Sequence, residues 1–359
     1  MNRVLTSPGA YIQGPGVMLT LGAQAARLGA RQVFAIVDDA LYDTLRGQIE
    51  SSFQACPVGL YETRFSGECT RGAVVSMTKQ AMETGADLVM GVGGGKTLDL
   101  AKATAHYLEA PIVIVPTAAS TDAPCSGISV LYTENGVFDS YLHLRRNPDL
   151  IAVDSTVIAN APCRLLAAGM GDALSTYFEA RACFRSGAPT NAGGVCSVTA
   201  LQLGKACMET LYADGVAALE AVKSHQVTSP LQNIIEANLY LSGVGFESGG
   251  LACAHAIHDG LTILPESGRS LHGEKVAFGT LVQLILEQAP LEELKRAQTF
   301  ARQVGLPVTL EELGVPLGQC AKIAEAACKR DSMHHMPFQV TEEQVAHAIE
   351  TADQMGRRA

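Results

Sequence analysis

Short apolar runs rich in β-branched residues alternate with longer amphipathic stretches over the first 160 residues. This alternation is typical of a parallel β-sheet covered by helices. The runs that predict strands are residues 33–37, 88–92, 112–115 and 151–153. The stretches that predict helices are residues 17–28, 39–51, 72–84 and 98–108. Residues 138–144 stand outside the alternation, and we expect them to form an extra hairpin strand.

The pattern changes after about residue 161, where alanine- and leucine-rich segments with helical periodicity replace the β-branched runs. The predicted helices are residues 165–184, 196–213, 214–225, 230–248, 274–287, 291–304, 317–328 and 341–355. Asp214 and Thr341 are residue types that favour helix N-termini. We therefore expect two domains, an α/β domain over residues 1–160 and an all-helical domain over residues 161–359.

Composition and charge exclude several classes of protein. The chain has 359 residues, of which 47% are hydrophobic and 17% charged, as in a folded enzyme rather than a disordered or collagen-like chain. Its net charge is −10, and basic pairs such as Arg145-Arg146 and Arg357-Arg358 are scattered along the chain rather than clustered. Nucleic acid and anionic membranes are therefore not expected as partners.

Cysteine usage and the N-terminus bear on the compartment. Ten cysteines are scattered without a CxxC motif, which indicates reduced thiols, and Cys125 and Cys253 are expected to be buried packing residues. The first nine residues lack the apolar core of a signal peptide, and no run approaches the ~20 apolar residues of a membrane span. We therefore expect a cytoplasmic protein.

A glycine-rich turn, Gly91-Val92-Gly93-Gly94-Gly95-Lys96-Thr97, follows one predicted strand and opens a helix. Glycines let a bound group approach the backbone, and a helix N-terminus offers free N–H groups to a phosphate. The turn matches neither the Walker loop nor GxGxxG. It predicts a phosphate-bearing ligand, and the alternative is a tight turn without one.

Two more predicted strands end in polar residues. Asp38 directly follows the predicted strand at residues 33–37. A carboxylate there can bind the adenosine ribose and disfavour a 2′-phosphate, so Asp38 favours NAD over NADP. A role as a helix N-cap is an equal alternative. A hydroxyl-rich loop, residues 116–126, follows another strand. Ligands of open α/β sheets lie at strand carboxyl ends, so these segments should line one crevice.

The helical half contains a candidate metal site. Asp172 lies in an apolar segment, His255 and His258 share one helical face, and His272 follows 17 residues after His255. One carboxylate and two or three imidazoles suit a divalent metal such as zinc, with a position open for substrate. Histidines that satisfy each other in the core are an equal alternative, and spacing alone does not decide.

Several motifs together resemble glycerol dehydrogenases, the zinc-dependent branch of the iron-containing alcohol dehydrogenase superfamily. The resemblance runs from Ser7 to about Gln354. The motifs are Gly93-Gly94-Gly95-Lys96-Thr97-Leu98-Asp99, Pro116-Thr117-Ala118-Ala119-Ser120-Thr121-Asp122-Ala123-Pro124, Gly169-Met170-Gly171-Asp172-Ala173, Gly245-Phe246-Glu247-Ser248-Gly249-Gly250-Leu251 and His272-Gly273-Glu274-Lys275.

This resemblance implies a Rossmann-like N-terminal domain and an all-α C-terminal domain, the dehydroquinate synthase-like fold, with the active site between them. It implies oxidation of glycerol and related vicinal diols to dihydroxyacetone or its analogues, with NAD and Zn²⁺, in a homo-octamer. Zinc would bind Asp172, His255 and His272, which also face the substrate. Asp122 would contact the substrate. The implied NAD contacts are Asp38, Gly94, Gly95, Lys96, Thr97, Thr117, Ser120, Ser126, Ile128 and Tyr132.

One departure from the superfamily bears on the metal. Iron-binding members have histidine four residues after the aspartate, whereas this chain has Thr176, so three ligands remain and zinc is favoured. His258 is then a neighbour of the ligands or faces the substrate, and with Asp122 it is a candidate catalytic residue.

Two alternative functions remain. A lyase of the dehydroquinate synthase type would need clustered cations, and only Arg269 and Lys275 lie near the histidines in sequence. The other alternative is a non-catalytic nucleotide-binding protein, but that function gives no role to Asp172, His255 and His272.

Overall fold

The computed structural model describes residues 1–358, and a six-stranded parallel sheet organises its first half. The sheet order is β1-β8-β5-β4-β2-β3, and β6 and β7 form a separate antiparallel hairpin between β5 and β8 in the chain. The strands are β1 Tyr11–Gly14, β2 Gln32–Asp38, β3 Gly59–Phe65, β4 Leu88–Gly93, β5 Ile112–Pro116, β6 Ile128–Tyr132, β7 Phe138–His143 and β8 Leu150–Asp154.

Helices cover both faces of the sheet because its inner strands are apolar on both sides. Val33 and Val37 of β2 pack into one buried cluster, with the helices at residues 21–27 and 39–53. Phe34 and Ile36, which point the other way, join the opposite cluster. The helices of this half are α1 Leu21–Arg27, α2 Asp39–Phe53, α3 Arg71–Glu83, α4 Gly95–Leu108 and α5 Ser155–Ala159.

The four predicted strands and the extra hairpin strand are confirmed, but three strands were missed. β3 forms one edge of the sheet and carries half-exposed polar residues, so it lacks the apolar run by which the inner strands were recognised. β1 forms the other edge and has four residues. β6 lies outside the six-stranded sheet, where it pairs with β7, and its Tyr132 also forms an isolated bridge with Thr70.

The second half is helical, as predicted. α6 packs against α7 and α11. Among residues 1–358, none of the helices is long and apolar enough to cross a bilayer. The helices are α6 Cys163–Ser186, α7 Val198–Lys223, α8 Ser229–Glu236, α9 Ser242–Gly249, α10 Cys253–Thr262, α11 His272–Leu286, α12 Leu291–Gln303, α13 Cys320–Cys328 and α14 Glu342–Arg358.

The predicted helix start at Asp214 is wrong, because α7 runs through it without a break. Its carboxylate accepts a hydrogen bond from Asn233 Nδ2 at 2.7 Å instead of capping a helix. Thr341 does act as a cap, since its hydroxyl accepts from Gln344 N at 3.3 Å. The predicted helix at 230–248 is interrupted by a π-helical turn, Ala237–Leu241, between α8 and α9.

The N-terminal segment crosses to the helical half. Arg3 forms a bridge with Val195, and Thr6 N donates to Ser248 Oγ at 3.1 Å. Gln13 of β1 donates to the carbonyl of Gln232 in α8 at 2.9 Å. The first strand of the sheet is therefore fixed to both halves of the molecule.

Candidate functional site

The carboxyl ends of β2, β4 and β5 lie side by side, as expected for a ligand crevice. Thr117 N donates to Gly93 O at 3.1 Å, so the end of β5 adjoins the glycine-rich turn. Asp38 Oδ1 caps α2 by accepting from Ala40 N at 3.0 Å, while Oδ2 lies 3.5 Å from Thr97 Oγ1. Asp38 therefore serves as the N-cap and also borders the turn, so its two interpretations are compatible.

The glycines of the turn differ in why a side chain is absent there. A Cβ at Gly93 would lie 2.8 Å from Asp38 Cβ, so only glycine lets the two strand ends approach. Gly94 and Gly95 face open space, where nothing would obstruct a ligand. α4 begins at Gly95, three residues earlier than predicted, so the N–H groups of Gly95, Lys96 and Thr97 lie in its first turn. This terminus is suited to an anion.

The ammonium of Lys96 forms an ion pair with Glu68 across the turn. Lys96 is exposed, so the pair lies at the entrance of the crevice and a bound anion could compete for the lysine.

The loop that follows β5, residues 117–128, contains most other candidate cofactor contacts. Ser120 is half-buried. Ser126 is buried, and its hydroxyl donates to Ala123 O at 2.9 Å, within the loop. Ile128 begins β6 and its carbonyl accepts a hydrogen bond from Lys102. Tyr132 ends β6, and burial raises its pKa to about 12, so the phenol is neutral at physiological pH.

An apolar cavity of about 340 Å³ adjoins the crevice beside Thr117. Leu41 and Leu45 of α2 line one side, and Val157 and Leu165 line the other. Its apolar walls beside Thr117 suit a flat apolar group.

Asp172, His255 and His272 come together at the other side of the crevice. α6, α10 and the start of α11 supply them in turn. Asp172 Oδ1 lies 3.5 Å from His255 Nε2 and 3.1 Å from His272 Nε2. One ligand atom from each residue lies within 4.8 Å of the others.

This donor set fits a divalent metal. Tetrahedral coordination with Zn–N and Zn–O bonds of 2.0–2.1 Å places neighbouring ligand atoms about 3.3 Å apart, close to the separations found. The second nitrogen of each imidazole is also engaged, since His255 Nδ1 lies 2.7 Å from Glu179 Oε2 and His272 Nδ1 lies 2.9 Å from His258 Nε2. Such outer bonds fix the rings with Nε2 toward a metal.

The electrostatics of the cluster also suit a cation. Burial alone would raise the pKa of Asp172, but the adjacent His272 and His255 hold it well below its usual range. The pKa of His255 is raised, because the charge of Glu179 and the bond to Asp172 outweigh burial. A carboxylate that stays ionised between two imidazoles has the charge pattern of a cation site.

His258 contacts other residues of the cluster. Burial, and then the charge of His272, lower its pKa to about 3. The neutral ring can donate from Nδ1 to Asp259 Oδ1, at 3.0 Å, while Nε2 accepts from His272. Asp259 is in turn paired with Arg330 at 3.2 Å. This chain of contacts fixes the orientation of His272.

Asp122 is buried next to the cluster. Its backbone N–H donates to Asp172 Oδ2 at 3.3 Å, and its carboxylate accepts from Ser242 Oγ at 2.7 Å. Thr176 Oγ1 lies 2.8 Å from the same Ser242 oxygen, so the residue at the position of the missing fourth ligand holds Asp122 indirectly. Burial, and then the charge of Asp172, raise the pKa of Asp122 well above its usual range.

Sequence reasoning missed the residues that hold these groups in place. Glu179 is fully buried and lies seven residues after Asp172 on α6, so a lone carboxylate at helical spacing was the available signal. Asn238 donates to Ala119 O at 2.9 Å, and Lys102 and Glu247 bind the same loop further on. Their spacing in sequence gives no sign of these contacts.

Comparisons with known proteins find relatives over the full length of the chain. A family model for iron-containing alcohol dehydrogenase matches residues 8–155. A glycerol dehydrogenase of Escherichia coli O6:H1 is 48% identical over 100% of this chain and 98% of its own. The crystal structure of a probable glycerol dehydrogenase from Sinorhizobium meliloti 1021 is 42% identical, with a TM-score of 0.92 and 100% of both chains covered. That of a Schizosaccharomyces pombe glycerol dehydrogenase is 36% identical, with a TM-score of 0.94, covering 99% of this chain and 92% of that one.

Proposed function

The chain belongs to the iron-containing alcohol dehydrogenase family, and we propose that it is an NAD-dependent, zinc-assisted dehydrogenase that oxidises glycerol and related vicinal diols, with dihydroxyacetone as the product from glycerol. The observation that carries the proposal is the cluster of Asp172, His255 and His272, which the loop after β5 contacts through Asp122. A metal site and a nucleotide crevice thus share one loop.

We place NAD along the crevice between the two halves. Its diphosphate would lie on the N-terminus of α4 at Gly94, Gly95, Lys96 and Thr97, and Asp38 would accept from the adenosine ribose. The adenine would occupy the apolar cavity beside Thr117. The loop containing Ser120 and Ser126, with Ile128 and Tyr132 of β6, would direct the nicotinamide toward Asp172. A 2′-phosphate would meet the carboxylate of Asp38, which favours NAD over NADP.

We assign the metal to Asp172, His255 and His272, and zinc to this site. When bound, the metal polarises the substrate hydroxyl as a Lewis acid and NAD accepts the hydride. A two-histidine, one-carboxylate set also suits Fe(II), so metal analysis belongs in the test. Asp172, His255 and His272 would leave a tetrahedral metal one position for a substrate oxygen, and a vicinal diol could supply a second oxygen if the coordination expanded to five. We therefore expect vicinal diols to exceed simple alcohols as substrates.

The protein groups around the substrate have separate roles. Asp122, held by Ser242, would hydrogen-bond a substrate hydroxyl and take part in the transfer of its proton. We infer that His258 acts by orienting His272 rather than by touching the substrate, because its Nε2 already contacts that ring. With the proposed domain boundary between residues 160 and 161, the α/β domain would bind NAD and the helical domain would bind the metal.

The lyase alternative has less support. A phosphorylated, carboxylated substrate would need free cations beside the metal ligands, and Lys275 is buried next to Glu274, with its pKa lowered by burial. Net NADH formation separates the two reactions, because a dehydroquinate synthase-like lyase returns its NAD to the oxidised form.

The test is NADH formation, followed by absorbance, with glycerol, propanediol, butanediol and propanol, and with NAD⁺ and NADP⁺. We expect glycerol and the diols to exceed propanol, NAD⁺ to exceed NADP⁺, and zinc to restore activity after chelation. His255→Ala should lose both metal and turnover, and His347→Ala, an exposed histidine outside the site, is the matched control. Full activity after exhaustive metal removal would refute the role of the metal, and no NADH from any diol would refute the proposed reaction.

We further propose a cytoplasmic homo-octamer, as the resemblance implies. Light scattering on the purified chain distinguishes eight subunits from smaller assemblies, and cell fractionation tests the compartment.

A further inference from the structure

Residues 117–128, which we call the cofactor loop, are held by a buried cation on one side. The ammonium of Lys102, on α4, donates to Ala123 O at 2.6 Å and Ile128 O at 2.9 Å. The Lys102 side chain has no exposed surface. Asp99 Oδ1, 3.7 Å away, balances its charge without reaching the loop carbonyls.

A buried anion holds the same loop from the helical half. Glu247, on α9, accepts from Gly127 N at 2.8 Å through Oε1. Its other oxygen accepts from Asn147 Nδ2, and that amide also donates to Cys125 O at 3.0 Å. Glu247 lies in the Gly245–Leu251 motif, to which neither the cofactor nor the metal assigns a role.

The two charges bind complementary parts of the backbone. The cation takes carbonyl oxygens, and the anion takes an N–H, so each group offsets part of the other's cost of burial. Five residues before Gly127, the loop also contacts the metal cluster, because Asp122 N donates to Asp172 Oδ2. Both halves of the molecule therefore hold the loop, and Lys102 and Glu247 are the buried charged residues that do so at its end near Gly127.

We propose that Lys102 and Glu247 are positioning residues, which together fix the cofactor loop so that the nicotinamide and Asp122 keep a constant relation to the metal ligands. The inference rests on the proposed function, since it assigns these residues a part in hydride transfer. Neither residue needs to touch substrate or cofactor. The distance between hydride donor and acceptor is the quantity that they control.

The first test replaces each charge with a neutral group of similar shape, in Lys102→Met and Glu247→Gln. We expect kcat with glycerol and NAD⁺ to fall by about 100-fold in Lys102→Met, the effect of a displacement of about 1 Å between reacting groups. Glu247→Gln keeps one acceptor oxygen and should lose less. The deuterium isotope effect on kcat, with glycerol labelled at the oxidised carbon, should rise because hydride transfer becomes the slow step. Metal content should not change.

A control separates positioning from stability. Asp353 is fully buried and accepts from Leu310 N at 2.9 Å, but it lies on α14 away from the loop. Asp353→Asn should lower the melting temperature while leaving the isotope effect and KM unchanged. If Lys102→Met does not fold, the double variant Asp99→Asn/Lys102→Met removes both charges. A further variant, Asn147→Ala, removes the amide that links Glu247 to the cofactor loop, at a less buried position.

The outcomes distinguish this inference from the proposed function. Folded variants with the kcat and isotope effect of the unmodified chain would overturn the positioning role. So would a double variant that regains full kcat, because Lys102 would then only balance Asp99. Calorimetric binding of NAD⁺ gives a readout independent of turnover, and we expect Lys102→Met to weaken it. If the unmodified chain forms no NADH from any diol, the proposed function itself fails.

Discussion

Replacing Glu179 with glutamine tests how the protein prepares His255 for a metal. The Glu179 carboxylate accepts three N–H groups, from Ala252 N at 2.8 Å, His255 N at 2.9 Å and His255 Nδ1 at 2.7 Å. In Glu179→Gln one oxygen can keep the two backbone donors, but the new amide N–H₂ then faces Nδ1. The imidazole must accept there, and its proton moves to Nε2, the atom that a metal needs.

The magnitude follows from the burial of this group. A mismatched hydrogen bond to a fully buried charged partner costs about 1.5–3 kcal/mol, which corresponds to a loss of metal affinity of about 10- to 100-fold. Competition between the protein and a fluorescent zinc chelator measures that affinity. Glycerol oxidation should recover in part at high zinc concentration, since the three ligands themselves remain.

The matched control is Glu312→Gln. Glu312 also accepts two backbone N–H groups, from Val308 and Thr309, and pairs with a cation, Arg302, but none of these partners is a metal ligand. We expect normal zinc affinity there. Wild-type zinc affinity in Glu179→Gln would refute the argument that the hydrogen bond at Nδ1 sets the ligand geometry.

Three further predictions follow from individual contacts. Asp38→Ser should lower the preference for NAD⁺ over NADP⁺, measured as the ratio of kcat/KM values, by about tenfold through loss of one charged hydrogen bond; an unchanged ratio would remove Asp38 from the ribose site. Burial would raise the pKa of Glu274, but Arg164 and a backbone N–H hold that pKa below its usual range. The Arg164–Glu274 ion pair therefore stabilises the fold fully above the unfolded pKa of about 4.3 and loses that effect as pH falls through the folded pKa. Glu274→Gln should therefore flatten the acid limb of the melting temperature, and an equally steep limb would contradict it. Gly169→Ala would place a Cβ 1.9 Å from a cofactor-loop carbonyl, so urea unfolding should show a loss of about 1–3 kcal/mol, whereas Gly318→Ala, which faces open space, should cost much less.

The inner strands of the sheet could be predicted because burial on both faces makes them apolar throughout. The edge strand β3 could not, because the polar residues Glu62, Thr63 and Arg64 interrupt its apolar run. The break expected at Asp214 shows a second limit. An aspartate is a cap only where the backbone stops being helical, and a distant partner, Asn233, took its side chain instead.

The candidate site divides in the same way. Residues that a motif places at strand ends or helix starts, such as Thr97 and His272, could be named from the sequence, and the structure brings the three metal candidates together. Glu179, Lys102 and Glu247 act through tertiary contacts with groups 21 to 120 residues away. Local patterns contain no information on such distances, so these supporting residues became visible only in the fold.

The pairing of β1 has a consequence for how the chain is made. Tyr11 in β1 pairs with Ile151, and Thr6 binds Ser248. At a synthesis rate of about 5–20 residues per second, β1 waits about 7–28 s after its own synthesis for its sheet partner, and longer for the helical half. The contact of Thr6 with the helical half can form only after residue 248 has been made. The segment that contains Thr6 and Tyr11 therefore completes its contacts late, and these contacts join the two halves.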